Sequence, residues 1–283
     1  MVEYYENTDE VARLRSDQGF LEFERTQGII RRVIDPPPAR VADVGGGPGV
    51  YAAWLAQEGY DVTLVDPIEP HVHRAQEAAT AQPERSFRAI VGDARALELD
   101  DTSQDAVLLL GPLYHLVTVE DRLQALREAA RVLRPGGVVV AAAISRFASL
   151  LSGAVEGFLR DPEFRRIVEQ DLRDGQHRST DDRYFTTAYF HRPDDLRDEL
   201  SAAGFVDIRL LAVEGPYWML GGLDEWRADA GSWRLLLESI GHLEAEPSLL
   251  GASAHILGNR RPGMTLRPDS LGRPRSLSAR IDI

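Results

Sequence analysis

Residues 41–55 read VADVGGGPGVYAAWL, and this stretch decides the fold. A run of small apolar residues ends in an acid, three glycines, a proline and Gly49 follow, and an amphipathic segment begins near Val50. This order predicts a buried strand, a tight loop and the start of a helix. Glycine lets a backbone approach a ligand closely, and the first amides of a helix attract negatively polarised ligand atoms. The stretch therefore predicts a binding site for an adenosine-containing cofactor.

The composition excludes several kinds of chemistry. The 283 residues include no cysteine, which excludes disulfides, zinc–thiolate sites, iron–sulfur clusters and cysteine nucleophiles. They include no lysine either, which excludes a Schiff-base lysine and a P-loop lysine. The formal net charge of -13 opposes binding to a polyanion, so we expect no nucleic-acid partner.

The sequence shows neither a secretion signal nor a membrane segment. The first residues, MVEYYENTDE, are acidic and polar, whereas a signal peptide begins with a basic and then an apolar region. No apolar run approaches the ~20 residues that a membrane helix needs. We therefore expect a cytoplasmic protein without membrane contact, either a monomer or a homodimer.

Short β-branched runs alternate with amphipathic segments in the middle of the chain. This alternation is typical of parallel strands joined by helices, and apolar runs such as DAVLLLG suit strands covered on both faces. Thr118 and Asp121 form a capping box for one of the helices. The sequence thus predicts an α/β fold with a Rossmann-like, doubly wound and mostly parallel sheet. Strands are predicted at 40–45, 61–66, 86–92, 105–111, 137–144, 206–214 and within 252–260, and helices at 119–133, 193–203 and 232–243.

The segments around this sheet predict the domain organisation. Residues 1–35 predict a helical N-terminal cover. Residues 36–261 predict the main domain, which carries a lid-like insertion after the fifth strand at about 146–192. Residues 262–283 are rich in proline, arginine, serine and glycine and predict a flexible tail.

The glycine loop by itself leaves two cofactors open. Read from Gly47, GPGVYA satisfies the G-x-G-x-x-A form of the dinucleotide fingerprint. Asp66 closes the second strand, where a carboxylate can accept both hydroxyls of a ribose, as it does in NAD-binding proteins. An NAD-dependent oxidoreductase is therefore an alternative, although a chain without lysine cannot supply a Tyr-x-x-x-Lys catalytic set.

Three later segments distinguish the two cofactors. AIVGDARAL holds the end of the third strand and the loop beyond it, DAVLLLGPLYHL is a strand that opens into a Gly-Pro loop, and LRPGG precedes the fifth strand. Together with the glycine loop and Asp66, they resemble the class I S-adenosylmethionine-dependent methyltransferases of the bacterial small-molecule type. The resemblance covers roughly residues 40–145, with the motifs in the order and spacing of that family.

The resemblance implies that S-adenosylmethionine is the cofactor and S-adenosylhomocysteine the product. Ten residues of these motifs would contact the cofactor. They comprise the acid before the loop, the loop glycines, the ribose-binding acid and its neighbour, the adenine-contacting pair and the fourth-strand motif. In this sequence they are Asp43, Gly45, Gly46, Gly47, Asp66, Pro67, Asp93, Ala94, Leu110 and Gly111.

The expected reaction is a methyl transfer. Without cysteines to hold an iron–sulfur cluster, the sulfonium acts as a polar methyl donor. The methyl group would move by in-line displacement to an oxygen, nitrogen or carbon of a small molecule, and alignment of the nucleophile supplies most of the rate. His115 is the candidate general base, since it follows the strand that ends beneath the cofactor, and Tyr114 is a second catalytic candidate. Packing against the cofactor is the alternative role for both, and a base is optional.

The substrate wall is predicted mostly from residues outside these motifs. If RYFTTAYFHRP is extended, Tyr189 and His191 lie on one side of it as polar contacts. Trp218 and His115 are expected in the same wall, and Tyr5 is expected to fold over the site as a lid. Packing in a small satellite core is the alternative for the aromatic residues.

Two further interpretations concern metals and turnover. His71 and His73 read as HVH at the start of a helix, where they point in different directions on a solvated face, so no metal is expected. A non-catalytic cofactor-binding protein remains an alternative to an enzyme.

Overall fold

The computed structural model describes residues 13–14, 16–179 and 182–260. Within them a seven-stranded sheet carries helices on both faces. The strands are β1 (Arg40–Val44), β2 (Asp61–Asp66), β3 (Arg88–Val91), β4 (Gln104–Leu109), β5 (Leu133–Ile144), β6 (Gln176–His177), β7 (Ala188–Tyr189), β8 (Arg209–Ala212) and β9 (His255–Arg260). The helices are α1 (Asp17–Val33), α2 (Val50–Glu58), α3 (Glu69–Ala81), α4 (Pro112–His115), α5 (Val119–Val132), α6 (Ala148–Val155), α7 (Pro162–Asp174), α8 (Pro193–Ala202), α9 (Leu223–Ala228) and α10 (Ala230–Leu243).

The sheet is doubly wound and mostly parallel, which confirms the predicted fold class. Its strand order is β3-β2-β1-β4-β5-β9-β8, with β9 antiparallel to both of its neighbours. The chain moves outward in one direction from β1 to β3 and in the other from β4 through β5 to β8, and β9 then returns between β5 and β8. Ligands of open α/β sheets bind where the strand order reverses, beyond the carboxyl ends of the strands. The edge beside β1 and β4 is therefore where a site is expected.

Alternate residues of the central strands enter two different cores. In β1, Val41 packs with residues of α1, α2 and α3, whereas Ala42 packs with residues of α5 and α8. Successive side chains of a strand point to opposite faces, so a strand covered on both faces must be apolar throughout. This packing accounts for the uninterrupted apolar runs of β4 and β5.

Most element bounds agree with the predicted ones. β2 covers the predicted 61–66, and α5 begins as expected, with the amide of Asp121 donating to Oγ1 of Thr118 at 3.2 Å. β5 begins at Leu133, four residues before the predicted start, because the RPGG turn pairs irregularly with β4. β8 is shorter than the predicted 206–214.

The segment after β5 contains α6, α7 and a small ribbon of β6 and β7 that is separate from the main sheet. The buried His177 connects these parts. Its Nδ1 lies 2.9 Å from Oδ2 of Asp171, and its Nε2 donates to the carbonyl oxygen of Tyr184 at 2.6 Å. These bonds fix the aromatic residues that precede β7.

The N-terminal cover is helical where it is described. In α1, Nε of Arg25 donates to the carbonyl oxygen of Val213 at 2.9 Å, and Nη2 donates to Glu244 at 2.6 Å. These bonds hold α1 against the end of the sheet. Tyr5 and the predicted tail at 262–283 lie outside the described residues. Within the described part, no helix combines the length and the apolar character that crossing a membrane requires.

Candidate active site

The glycine loop after β1 is shaped by two close approaches. A Cβ on Gly45, whose φ is 71°, would lie 2.7 Å from the ring of Pro112, and a Cβ on Gly46 would lie 2.5 Å from Oδ2 of Asp43. Contacts this short exclude any side chain. The glycine loop lies between Pro112, in the loop after β4, and the Asp43 carboxylate. It fits there only because these positions carry no side chain.

Asp43, the last acid before the loop, is fully buried. Neither of its oxygens has a hydrogen-bond partner of normal geometry in the described part of the chain. Burial raises the pKa of Asp43 to about 7, and the charge of Asp66 adds to the rise, while the Ala52 amide offsets part of it. A buried carboxylate in this state gains most from a ligand that brings a positive charge or hydrogen-bond donors.

Asp66 lies at the carboxyl end of β2 and connects two loops. Its Oδ2 accepts from the amide of Gly47 at 2.9 Å, and its Oδ1 accepts from the amide of Ile68 at 2.9 Å. Nδ1 of His71 lies 3.4 Å from Oδ1. A carboxylate offers about four lone-pair positions, so Asp66 keeps capacity for ligand hydroxyls.

Asp93 follows β3 and is held by its neighbour Arg95. The Arg95 guanidinium donates to Oδ2 of Asp93 at 2.6 Å and also contacts Asp121 at 2.9 Å. The hydrogen bonds from Arg95 lower the pKa of Asp93. This acid therefore stays ionised, in a fixed orientation beside Ala94.

The loop after β4 supplies Tyr114 and His115, whose rings lie 4.6 Å apart between centroids. Burial lowers the pKa of His115 to about 4, and the charge of Asp66 only partly opposes this effect. The imidazole is therefore neutral near pH 7, but it is a weak base there.

One cavity beyond β1, β2, β3 and β4 brings these residues together. Its wall includes all ten residues predicted to contact a cofactor, together with both catalytic candidates. They are Asp43, Gly45, Gly46, Gly47, Asp66, Pro67, Asp93, Ala94, Leu110, Gly111, Tyr114 and His115. We call it the donor cavity.

A second cavity, here called the acceptor cavity, adjoins the first. Arg13, Glu22, Tyr114 and His255 line both cavities. Most of its other wall is aromatic or apolar: Ile144, Ala148, Phe158, Phe164, Tyr184, Phe185, Phe190 and Trp218. A ligand in one cavity can therefore approach a ligand in the other across the four shared residues.

The residues predicted for the substrate wall separate into two groups. Trp218 lines the acceptor cavity and donates from Nε1 to the carbonyl oxygen of Ala252 at 2.9 Å. Tyr189 and His191 line neither cavity. The Arg122 guanidinium lies 3.7 Å from the centroid of the Tyr189 ring, and Nε2 of His191 lies 3.3 Å from Glu199. Arg146 also donates to the Tyr189 hydroxyl, so both side chains belong to a polar network with Arg122, Arg146 and Glu199.

The HVH pair also separates. His73 is exposed, as expected, and lies near Glu77. The expectation of a solvated face is wrong for His71, which is buried beside Asp66 and lines the donor cavity. The two side chains do diverge, because residues two positions apart on a helix lie on different faces.

Sequence reasoning missed the polar residues where the two cavities meet. They are Glu22, Glu214 and His255, whose carboxylate oxygens and imidazole nitrogen lie within 4.8 Å of one another. Such a group could hold a metal ion, so the expected absence of a metal stays a prediction. The sequence positions of two of these residues could have indicated the site, because Glu214 follows β8 and His255 begins β9. Because β9 is antiparallel, its first residue lies opposite Ile144, at the carboxyl end of β5.

The donor cavity fits S-adenosylmethionine better than NAD. The unsatisfied Asp43 carboxylate suits a cationic ligand, and S-adenosylmethionine carries a sulfonium and an ammonium group. A dinucleotide needs loop amides for its pyrophosphate, but the amide of Gly47 already donates to the carboxylate of Asp66. Acids at Asp43, Asp66 and Asp93 would also repel a pyrophosphate.

Comparison with known proteins agrees with this geometry. A family model described as a methyltransferase domain matches residues 42–141. An uncharacterised methyltransferase of Mycobacterium tuberculosis is 43% identical over 98 residues, which are 35% of this chain and 37% of that protein. The demethylmenaquinone methyltransferase of Beutenbergia cavernae is 32% identical over 151 residues, which are 49% of this chain and 60% of that protein. The tRNA (carboxymethyluridine(34)-5-O)-methyltransferase of Mus musculus is 35% identical over 102 residues, 36% of this chain and 14% of that protein.

Solved structures share the fold over a longer range. A methyltransferase from Thermotoga maritima, described as a possible histamine N-methyltransferase, superposes with a TM-score of 0.56 at 18% identity. The match covers 91% of this chain and 97% of that one. The fold and the order of the motifs agree with the matched domain: residues 42–141 match a methyltransferase domain, and the chain has the Rossmann-like fold of the class I methyltransferases.

Proposed function

We propose that this protein transfers the methyl group of S-adenosylmethionine to an oxygen, nitrogen or carbon of a small molecule. The observation that carries the proposal is the pair of adjoining cavities, one lined by the family's cofactor motifs and the other by aromatic side chains. The reaction is an in-line displacement, so the protein's main tasks are to align the two ligands and to exclude water.

Each cofactor motif has a defined task under this proposal. Asp43 balances the positive charge of the donor, and Asp66 accepts the ribose hydroxyls while it holds the loop through Gly47. Asp93 and the amide of Ala94 contact the adenine edge. Leu110 and Gly111 form the floor beneath the methionine end. S-adenosylhomocysteine leaves the same cavity as the product.

The residues that line the acceptor cavity support a small-molecule substrate. Its aromatic lining suits a compact apolar ligand rather than a nucleic-acid backbone. The net charge of -13 also opposes a polyanion, although one relative of the matched domain acts on tRNA. We extend the proposal to a methyltransferase domain at 36–261 with its insertion at 146–192, in a cytoplasmic monomer or homodimer.

Calorimetry tests the donor half of the proposal. S-adenosylmethionine and S-adenosylhomocysteine should bind and NAD should not; the reverse would overturn the proposal. Asp66→Asn should weaken binding about tenfold or more, since it removes a charged hydrogen-bond acceptor. Asp61→Asn is the matched control, because Asp61 lies at the opposite end of β2 and is 78% exposed.

A turnover assay tests the transfer of the methyl group to an acceptor. The protein is incubated with radiolabelled S-adenosylmethionine and a panel of phenols, amines, carboxylic acids and bulk tRNA. Label should enter a small molecule, and one equivalent of S-adenosylhomocysteine should form per methyl group transferred. Label in tRNA alone would refute the substrate class. Binding without transfer to any member of the panel would favour a non-catalytic cofactor-binding protein.

A further inference from the structure

The side chain of His255 lies where the donor and acceptor cavities meet, and it is paired with a fixed acid. Its Nδ1 lies 2.6 Å from Oε1 of Glu214. Glu214 is buried, and its Oε2 accepts from the hydroxyl of Ser253 at 2.8 Å and from the amide of His255 at 3.1 Å. An acceptor held this firmly makes Nδ1 the protonated nitrogen, so Nε2 is the nitrogen that can take up a proton.

The fold explains why this histidine lies at the site. His255 is the first residue of β9 and pairs with Ile144, the last residue of β5. Glu214 follows β8, the other neighbour of β9. His255 therefore stands on the main sheet itself and Glu214 just beyond its neighbouring strand, and rigid elements hold catalytic groups more accurately than loops do.

Two acids from different parts of the chain lie close to the imidazole, and an arginine pairs with one of them. Glu214 lies beside it after β8, Oε2 of Glu22 lies 4.0 Å from its Nδ1, and Arg13 forms a salt bridge to Glu22 at 2.6 Å. Tyr114 lines the same two cavities. His255 itself is 23% exposed, so a ligand can reach its ring.

We propose that His255, oriented by Glu214, is the general base of the methyl transfer, and that its acceptor is the hydroxyl of a small phenol. The proposal rests on the proposed methyltransferase function and names its base and its substrate class. The aromatic wall of the acceptor cavity supports the ring of the acceptor, since aromatic pairs stack or meet edge to face.

The proton and electron balance is complete without another reactant. The O–H bond of the phenol breaks, and its proton goes to Nε2 of the neutral imidazole. An oxygen electron pair forms the new bond to the methyl carbon, and the pair of the carbon–sulfur bond stays on sulfur as the sulfonium becomes a thioether. The imidazolium then releases its proton to water.

The charges around His255 match this acceptor. Burial alone would lower its pKa, but Glu22, Glu214 and the hydrogen bond to Glu214 outweigh burial and raise the pKa to about 9, against a smaller effect of Arg13. A phenol has a pKa of about 10, so the proton transfer is nearly balanced in energy. Because the neutral base forms as pH rises through about 9, kcat/KM should rise with pH up to that region.

Glu22→Gln gives the sharpest test. It removes a charge 4.0 Å from the imidazole and keeps the side chain's shape, so the midpoint of the pH profile should fall by about one unit or more. The imidazole pKa measured by NMR, in protein without any ligand, should fall by the same amount. An unchanged NMR pKa, or a pH profile that does not follow it, would overturn the proposal.

His255→Asn tests the base directly. We expect kcat to fall about 10²- to 10⁴-fold with loss of the alkaline rise, a loss much larger than any change in S-adenosylmethionine affinity measured by calorimetry. Added imidazole should restore part of the activity of His255→Ala. His73→Asn is the control, since His73 is an exposed histidine on α3 and should behave like the parent protein.

The remaining outcomes separate the possible failures. Failure of the parent protein to bind S-adenosylmethionine refutes the proposed function, while the NMR experiment still tests the charge cluster. Methylation of amines or carbons but of no phenol refutes the acceptor class. Loss of activity in EDTA, with recovery on adding a divalent metal, would identify Glu22, Glu214 and His255 as a metal site and overturn the base.

Discussion

A Cβ on Gly46 would lie 2.5 Å from Oδ2 of Asp43, so the first turn of the glycine loop rests directly on a buried carboxylate. The loop thereby separates this acid from water. Desolvation of a carboxylate without partners is costly, and the cost is recovered when a cation or hydrogen-bond donors arrive. The pair Asp43 and Gly46 therefore joins the shape of the donor cavity to its charge preference.

The pH dependence of donor binding should follow the ionisation of Asp43. With a pKa of about 7, the acid is ionised above that pH and neutral below it. The affinity for S-adenosylmethionine should therefore decrease as pH falls from 8 to 6. Asp43→Asn should weaken binding about tenfold or more at pH 8 and remove this pH dependence. Calorimetry at several pH values measures both effects.

The ionisation of Asp43 should also affect the free energy of unfolding of the protein without ligand. The pKa of Asp43 is raised on folding from an ordinary value near 4, so the stability it contributes is complete at low pH and is lost as pH rises through about 7. Urea unfolding between pH 4 and 8 should show this decline in the parent protein but not in Asp43→Asn. Parallel curves for the two proteins would contradict the assignment.

Gly47 and Gly204 form a natural pair for testing the role of the loop. Gly47 has a φ of 54° and Gly204 a φ of 95°, and a Cβ on either meets no atom closer than 3.9 Å. Alanine at either position should therefore cost about 1 kcal/mol from backbone strain. Only Gly47→Ala should also weaken S-adenosylmethionine binding, because Gly47 lines the donor cavity. Equal affinities of the two variants would show that the loop does not contact the donor.

The donor half of the site could be predicted from sequence because its geometry is local. Each of its acids lies at or just beyond the carboxyl end of a parallel strand, and the carboxyl ends of parallel strands share one edge. The acceptor half depends on strand direction and distant packing. His255 reaches the site only because β9 is antiparallel, and Tyr189 leaves it because Arg122 and Arg146 lie beside its ring. Neither the direction of β9 nor the contact between Tyr189 and the two arginines can be read from the neighbouring residues in the sequence.

Trp218 and Tyr189 should differ in their effect on the acceptor. Trp218→Phe removes part of the acceptor cavity's wall and the bond to Ala252, so the acceptor KM should rise about 5- to 30-fold at an unchanged donor KM. Tyr189→Phe should leave both KM values within twofold, since it loses only the hydrogen bond with Arg146. Steady-state kinetics with a phenol from the panel measures both. A larger effect at Tyr189 would restore the sequence-based assignment.

Stability should depend strongly on the buried ion pair between α5 and α8. The guanidinium of Arg122 donates to Glu199 at 2.7 Å, and the two side chains are only 2% and 8% exposed. Arg122→Met leaves Glu199 buried without its main partner and should lower the free energy of unfolding by about 3 to 5 kcal/mol.

A double variant separates the loss of the pair from the loss of a partner. Arg122→Met with Glu199→Leu removes both charges, and apolar replacements of a buried pair are often nearly neutral, so most of the stability should return. Urea unfolding of the parent, single and double variants measures this. Donor affinity should stay within twofold throughout, because neither residue lines the donor cavity. A double variant as unstable as Arg122→Met alone would show that the loss comes from packing rather than from an unpaired charge.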